Sequence, residues 1–228
     1  MAERVGVVLF PGSNCEYDVI EAVGRFGGFA EVVWHGDTDL SAYDAVVIPG
    51  GFAHGDYLRP GAIARFSPVM DAVASFAAAG GPVIGICNGF QVLTEAGLLP
   101  GALQKNAGLK FLCTTVKCRV ESTRSALTAE ATVGQVLRLP INHFEGNYTC
   151  SPETLAELES EGRVVLRYVD NPNGSTADIA GICSAAGNVV GLMPHPERAC
   201  DDLLGSADGQ VLIRSLLSTT RAPAPTPA

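Results

Sequence analysis

An α/β fold, with a doubly wound, mostly parallel central sheet flanked by helices, follows from three features of the sequence. Four short β-branched runs in the first half, VGVVLF (5–10), AEVVWH (30–35), DAVVIP (44–49) and PVIGIC (82–87), are almost continuously apolar, as strands covered on both faces are. Stretches of helical period separate them. After residue 110 the rhythm changes to successive strand-like runs, which adds antiparallel strands to the second half.

Between the first two strands, Val19, Ile20, Val23 and Phe26 share one helical face, and Gly27 and Gly28 end the segment. A second helix follows Pro68, presents Val69, Ala72, Val73 and Phe76, and stops at Gly80 to Pro82. The fourth strand runs into FQVLTEAG, a further helix. Strand–helix–strand alternation of this kind places a site at the carboxyl ends of the strands. FLCTTVKCRV, QVLRLPI and RVVLRYVD read as later strands, and IAGICSAAGNVVGLM as a strand, a Gly-Asn turn and a strand. In SPETLAELESEG, Ser151 caps a helix, Pro152 takes its first position and Gly162 closes it. A last helix spans about 208–218 and precedes TTRAPAPTPA. Residues 1–218 are thus expected to form a single domain, and the proline-rich 219–228 a disordered tail.

The 228 residues are 47% hydrophobic and 17% charged, enough for one large core. A net charge of −9 without a Lys/Arg cluster argues against nucleic acid, whose binding rests on neutralised phosphates. No window is apolar enough to span a bilayer, and the N-terminus lacks the form of a secretion signal, so no membrane partner and a cytoplasmic location are expected. The seven cysteines include no close CxxC pair, so they are expected to be mostly reduced and buried, and no metal site is foreseen. Neither a GxxxxGK[ST] loop nor a GxGxxG turn is present, so no ATP site is expected on this chain.

GICNG, at 85–89, has the form Gly-x-nucleophile-x-Gly between a strand and a helix, the signature of a nucleophile elbow. Cys87 would then sit at a helix N-terminus, where amide groups favour the thiolate. The five residues alone would equally suit an inert buried thiol, so a base decides. Of four histidines, His195 stands out: it lies just beyond an apolar strand in GLMPHPER, with Glu197 two residues on. Prolines 194 and 196 favour extended backbone, in which residues two apart face the same side, as a base and its orienting carboxylate must. VVIPGGFAHGD ends a strand in Gly50 and Gly51. Its amides, with that of Asn88, could form an oxyanion hole.

GICNGFQ, PGGFAHGD and MPHPER together resemble the signatures of the triad-type glutamine amidotransferases, which release ammonia from glutamine. FPGSNCEYD, HGDYLRPGAIARFSP, LKFLC, HFEGNY and NPNGSTADIAGI are similar to the glutaminase subunits of phosphoribosylformylglycinamidine synthases, over about residues 5–217. The resemblance implies a flavodoxin-like amidotransferase fold, with Cys87 as nucleophile, His195 as base, Glu197 as its orienter, and amides near Gly51 and Asn88 as the oxyanion hole. It also implies that Gln91, His143 and Phe144 hold the substrate glutamine. The chain departs from the family at Asn142 and Phe144, where Ala-His-Gly-Glu-Gly is usual, and at His54, where Tyr is usual. ATP and Mg²⁺ are implied on a synthetase partner that amidates formylglycinamide ribonucleotide, with a small bridging subunit between the two. Partner docking is expected to order GGFAHGDYLR and INHFEGNY as mobile loops. The alternative is a free-standing Cys hydrolase of the same fold, a peptidase or γ-glutamyl hydrolase, which leaves HGDYLR and NPNGSTADIAGI without a role. A non-catalytic module would have lost triad residues that are all present here.

Overall fold

The computed structural model describes residues 2–220. The first half alternates as the apolar runs require: β1 (Arg4–Leu9), α1 (Glu16–Arg25), β2 (Phe29–Trp34), β3 (Ala45–Ile48), α2 (Pro68–Ala78), β4 (Val83–Ile86) and α3 (Asn88–Glu95). Then follow β5 (Ala102–Gln104), β6 (Leu112–Val120), β7 (Val136–His143), β8 (Asn147–Thr149), α4 (Pro152–Ser160), β9 (Val164–Tyr168), β10 (Ile179–Cys183), β11 (Val189–Leu192) and α5 (Gln210–Thr219). Nine strands form one sheet in the order β2-β1-β3-β4-β11-β10-β9-β6-β7, and β5 pairs with β8 in a small second sheet. The large sheet is parallel from β2 through β11 and antiparallel from β11 through β7.

The crossovers β1-α1-β2 and β3-α2-β4 travel in opposite directions along the sheet. Right-handed connections therefore put α1 and α2 on opposite faces. Helix α5 packs beside α1, while α3 lies on β3, β4 and β11. Strands β3 and β4 are buried along their whole length, which is why they read as unbroken apolar runs. The order reverses between β1 and β3, and there a bridge between Ser13 and Gly51 joins the two carboxyl ends.

Local signals explain most boundaries. The Ser151 side chain accepts the Thr154 amide at the start of α4, a cap worth ~1 kcal/mol, and Gly162 ends the helix region at φ 64°. Three readings are corrected. The β10–β11 turn is not centred on Gly-Asn: the Gly187 amide donates to the Ser184 carbonyl at 2.9 Å, closing a turn over Ala185 and Ala186. Asn188 instead ties the loop to the end of α2, donating to Ala77 and Gly81 carbonyls. INHFEGNY is no loop, since it comprises the end of β7, a three-residue turn and the start of β8. The segment after β11 is not extended throughout, because Pro196 starts a single 3-10 turn, Pro196–Arg198. Helix α5 continues through Thr219, the first residue assigned to the tail, and 221–228 lie outside the described residues.

Candidate active site

Cys87 follows β4 and begins α3 with φ 51° and ψ −103°, a conformation costing a non-glycine residue about 1–3 kcal/mol. The flanking glycines do not supply this turn's positive φ; they let the elbow pack. A Cβ on Gly89 would overlap the Ile48 carbonyl oxygen of β3, and one on Gly85 would lie 2.6 Å from the Gly89 carbonyl. The strain therefore falls on the cysteine, whose amide is fixed to the Leu192 carbonyl at 2.8 Å.

Parallel pairing of β4 with β11 sets Ile86 against Leu192, so the elbow and the segment carrying His195 leave the sheet side by side. His195 Nδ1 lies 2.6 Å from Glu197 Oε1, and both side chains are buried. The 3-10 turn, rather than an extended run, brings the two together. Nε2 has no hydrogen-bond partner among the described residues, and with Nδ1 taken it is the atom left for Cys87. Burial alone would push the imidazole pKa down, but the Glu197 carboxylate, followed by the Cys87 and Cys15 thiols, outweighs it and holds it well above the ordinary value.

Gly51 has φ 148° and packs against Ser13 and Asn14, where a Cβ would come within 2.7 Å of the Ser13 Cα. Among the described residues neither the Gly51 nor the Asn88 amide donates to a protein acceptor. The Asn88 side chain has a further role that the sequence did not reveal. Its Oδ1 accepts the Ala53 amide at 3.0 Å, and its Nδ2 donates to Asp56 Oδ1 at 3.1 Å and to Gln91 Oε1 at 2.8 Å. Gln91 Nε2 continues the chain to the Glu145 carbonyl at 2.5 Å. The loop after β3, the start of α3 and the β7–β8 turn are thus connected.

From the end of β7, just before that turn, backbone reaches the site: the Cys87 thiol donates to the Asn142 carbonyl at 3.7 Å. His143 is buried, with Nδ1 3.1 Å from Asn106 Oδ1 and Nε2 unpaired. Burial, then the neighbouring His195 charge, pushes it down to about 4, so it stays neutral. The Phe144 ring lies under the Lys105 ammonium at 6.0 Å, while its carbonyl accepts the Asn106 amide. Asn173 and Ser175, from the NPNGSTAD segment, donate to the Gly146 carbonyl. His54 is elsewhere, with Nε2 3.3 Å from Ser67 Oγ and its ring against His35.

Sequence reasoning also missed Cys15. Its Sγ, a His195 nitrogen and a Glu197 oxygen lie within 4.8 Å of one another, and Arg198 donates to that sulfur at 3.1 Å and to Asp18 at 2.9 Å. These three donors could geometrically ligate a cation, yet Nδ1 and Oε1 already bond each other and the guanidinium opposes added positive charge. Cys15, bonded by Arg198, thus packs beside the dyad. All seven cysteines are free, with Cys113 exposed and Cys150 half-buried.

Residues 2–210 match the CobB/CobQ-like glutamine amidotransferase domain. The phosphoribosylformylglycinamidine synthase subunit PurQ of Rubrobacter xylanophilus is 60% identical over 215 residues, covering 94% of this chain and 98% of that one. The chain belongs to the PurQ family. The PurQ subunit of Synechococcus elongatus is 55% identical and is covered completely. A chain in the structure of PurLQS from Thermotoga maritima superposes with a TM-score of 0.90 at 41% identity, over 97% of this chain and 100% of that one. This PurQ-family chain also shares its fold with a candidate GMP synthase chain from Thermoplasma acidophilum, at a TM-score of 0.66 and 14% identity. Among the described residues no helix is long and apolar enough to cross a membrane.

Proposed function

We infer that this chain is the glutaminase subunit of phosphoribosylformylglycinamidine synthase. It releases ammonia from glutamine for a synthetase subunit of the PurL kind, with a small PurS-like subunit in the assembly. ATP and Mg²⁺ serve the amidation of formylglycinamide ribonucleotide on the synthetase, not on this chain. The observation that carries the catalytic reading is the strained, buried Cys87 beside a His195–Glu197 pair bonded at 2.6 Å.

The chemistry follows from that geometry. Cys87 gives its proton to His195, and the resulting thiolate attacks the glutamine side-chain carbonyl. Glu197 fixes the tautomer through Nδ1 and stabilises the imidazolium, which then protonates the departing nitrogen. The Gly51 and Asn88 amides hold the oxyanion, and Gln91, His143 and the backbone of Asn142 to Glu145, Phe144 included, wall the substrate. Water next hydrolyses the γ-glutamyl thioester, with His195 as base, to give glutamate.

In the reconstituted complex, Cys87→Ala should abolish glutamine-dependent synthesis and leave synthesis from ammonium salts at high pH intact. Loss of both activities would defeat the assignment, since a subunit that only supplies ammonia is bypassed by ammonia.

A further inference from the structure

Beyond the triad, the site holds a carboxylate that the reaction as derived does not use. Asp56 lies on the loop after β3, half-buried, and one of its oxygens accepts a hydrogen bond from Asn88, the residue next to the nucleophile. Resting on the glutaminase reading above, we propose that Asp56, assisted by Glu145, receives the α-ammonium of glutamine and so makes the site select an α-amino acid over a plain carboxamide.

Glutamine is a zwitterion, and its ammonium lies roughly 5 Å from the carbonyl carbon that Cys87 attacks. A negative group placed roughly 8 Å from the sulfur, about two residues' span, is therefore suited to receive it. The hydrogen-bond chain Asp56–Asn88–Gln91–Glu145 runs along that side of the elbow. Of the other carboxylates, Glu197 bonds His195, Asp18 bonds Arg198 and Glu95 bonds Arg59, while buried Glu16, with an unpaired Oε2, follows Cys15 and has no bond to Asn88 or Gln91 among the described residues. Among the described residues neither Asp56 nor Glu145 has a cationic partner.

Burial, partly offset by the Asn88 bond and aided by the Glu145 charge, raises the Asp56 carboxyl to about 6. A carboxyl left uncompensated between apolar and anionic surroundings is stabilised by an ammonium that enters with the substrate. Buried His195 Nε2 and His143 Nε2, also unpaired, mark the same site as one built for a polar ligand. The position is held at a cost, since His54, Asp56 and Leu58 all have φ between 53° and 70°. In this region L-residues lose about 1–2 kcal/mol each.

The test compares two substrates on the assembled complex: glutamine, and 5-amino-5-oxopentanoate, which is glutamine without its α-amino group. Asp56→Asn keeps the side chain's shape and removes its charge. It should lower kcat/KM for glutamine about 30-fold, chiefly through KM, and change that for the deaminated compound by less than about threefold. Glu145→Gln, which retains the backbone carbonyl bonded to Gln91, should show the same selectivity loss in smaller degree. An equal fall with both substrates would make Asp56 a strut for the Ala53 loop, and no change with glutamine would make it a bystander; either overturns the proposal. Neither outcome touches the glutaminase reading, which stands or falls on Cys87→Ala. Should Asp56→Asn fail to assemble, inhibition of the native complex by glutamate and glutarate decides, because equal inhibition would mean that no ammonium is recognised.

Discussion

His143 shows how a buried side chain can serve the site and cost the fold. Its pKa is near 6.5 in an unfolded chain and about 4 here. Between those values the unfolded chain takes up a proton that the folded one refuses, so stability is lost as the pH falls from about 6.5 to about 4. Asp56 acts in the opposite sense, because a carboxyl raised to about 6 adds stability on acidification through that value. Comparison with His143→Gln cancels the Asp56 contribution. The native chain should lose about 3 kcal/mol relative to this variant over the window, read from urea midpoints at several pH values. Parallel curves would show that His143 is protonated in the fold, and a protonated imidazole there would oppose the His195 charge. At this scale the sequence was legible where chemistry is declared by type and spacing, as in Cys87, His195 and Glu197. It was silent on Cys15 and Asp56, which lie in FPGSNCEYD and HGDYLR but acquire partners only when distant strand ends meet.

Strand and helix placement was legible because β3 and β4 throughout, and β1 from Val5 to Val8, are buried and must be apolar. The short β5 and β8 carry no such pattern: each is three residues long and paired only with the other. Extended geometry at 193–197 was the wrong expectation because proline fixes φ equally well for the first residue of a turn. The elbow's glycines suggest, in sequence, residues that permit the sharp turn, yet the positive φ falls on Cys87. They are gaps for backbone, and this distinction is measurable. Gly89→Ala would drive Cβ into the Ile48 carbonyl, push α3 off β3 and shift Cys87, Asn88 and Gln91 together. A loss of about 3 kcal/mol is expected, with glutaminase activity falling in any folded remainder. Gly24→Ala, inside α1 with nothing within 4 Å of the added Cβ, should instead stabilise by about 0.5–1 kcal/mol. Calorimetric melting of the two variants separates the cases, and a similar gain in both would mean that helix propensity, not the β3 contact, governs the elbow glycine.

The doubly wound order gathers the carboxyl ends of β1, β3, β4 and β11 into one site, and the antiparallel half brings β7 back beside it, where the Pro140 carbonyl accepts the His195 amide and the Asn142 carbonyl the Cys87 thiol. Two walls of that site differ in how they are fastened. The β7–β8 turn, expected to move, is strapped by Asn106, which bonds His143 and Gly146, and by Asn173 and Ser175. The segment after Gly51 is tied at its start, where the Gly12 and Pro11 carbonyls accept the Phe52 and His54 amides, and beyond that through Asn88; it runs through left-handed residues and exposes Tyr57 and Leu58 at 73% and 90%. Of the two, this more exposed segment is the one expected to respond to the synthetase subunit. Docking that settles 52–58 would align the Gly51 amide with the developing oxyanion and fix Asp56 through Asn88. One oxyanion donor is worth ~3 kcal/mol, or ~100-fold in rate. Glutaminase kcat/KM should therefore rise by about that factor when synthetase and its nucleotide are added to the isolated chain. The rise should shrink in Asn88→Ala, which uncouples the loop from α3. Equal kcat/KM alone and in the complex would show a site already assembled, with nothing left for the partner to organise.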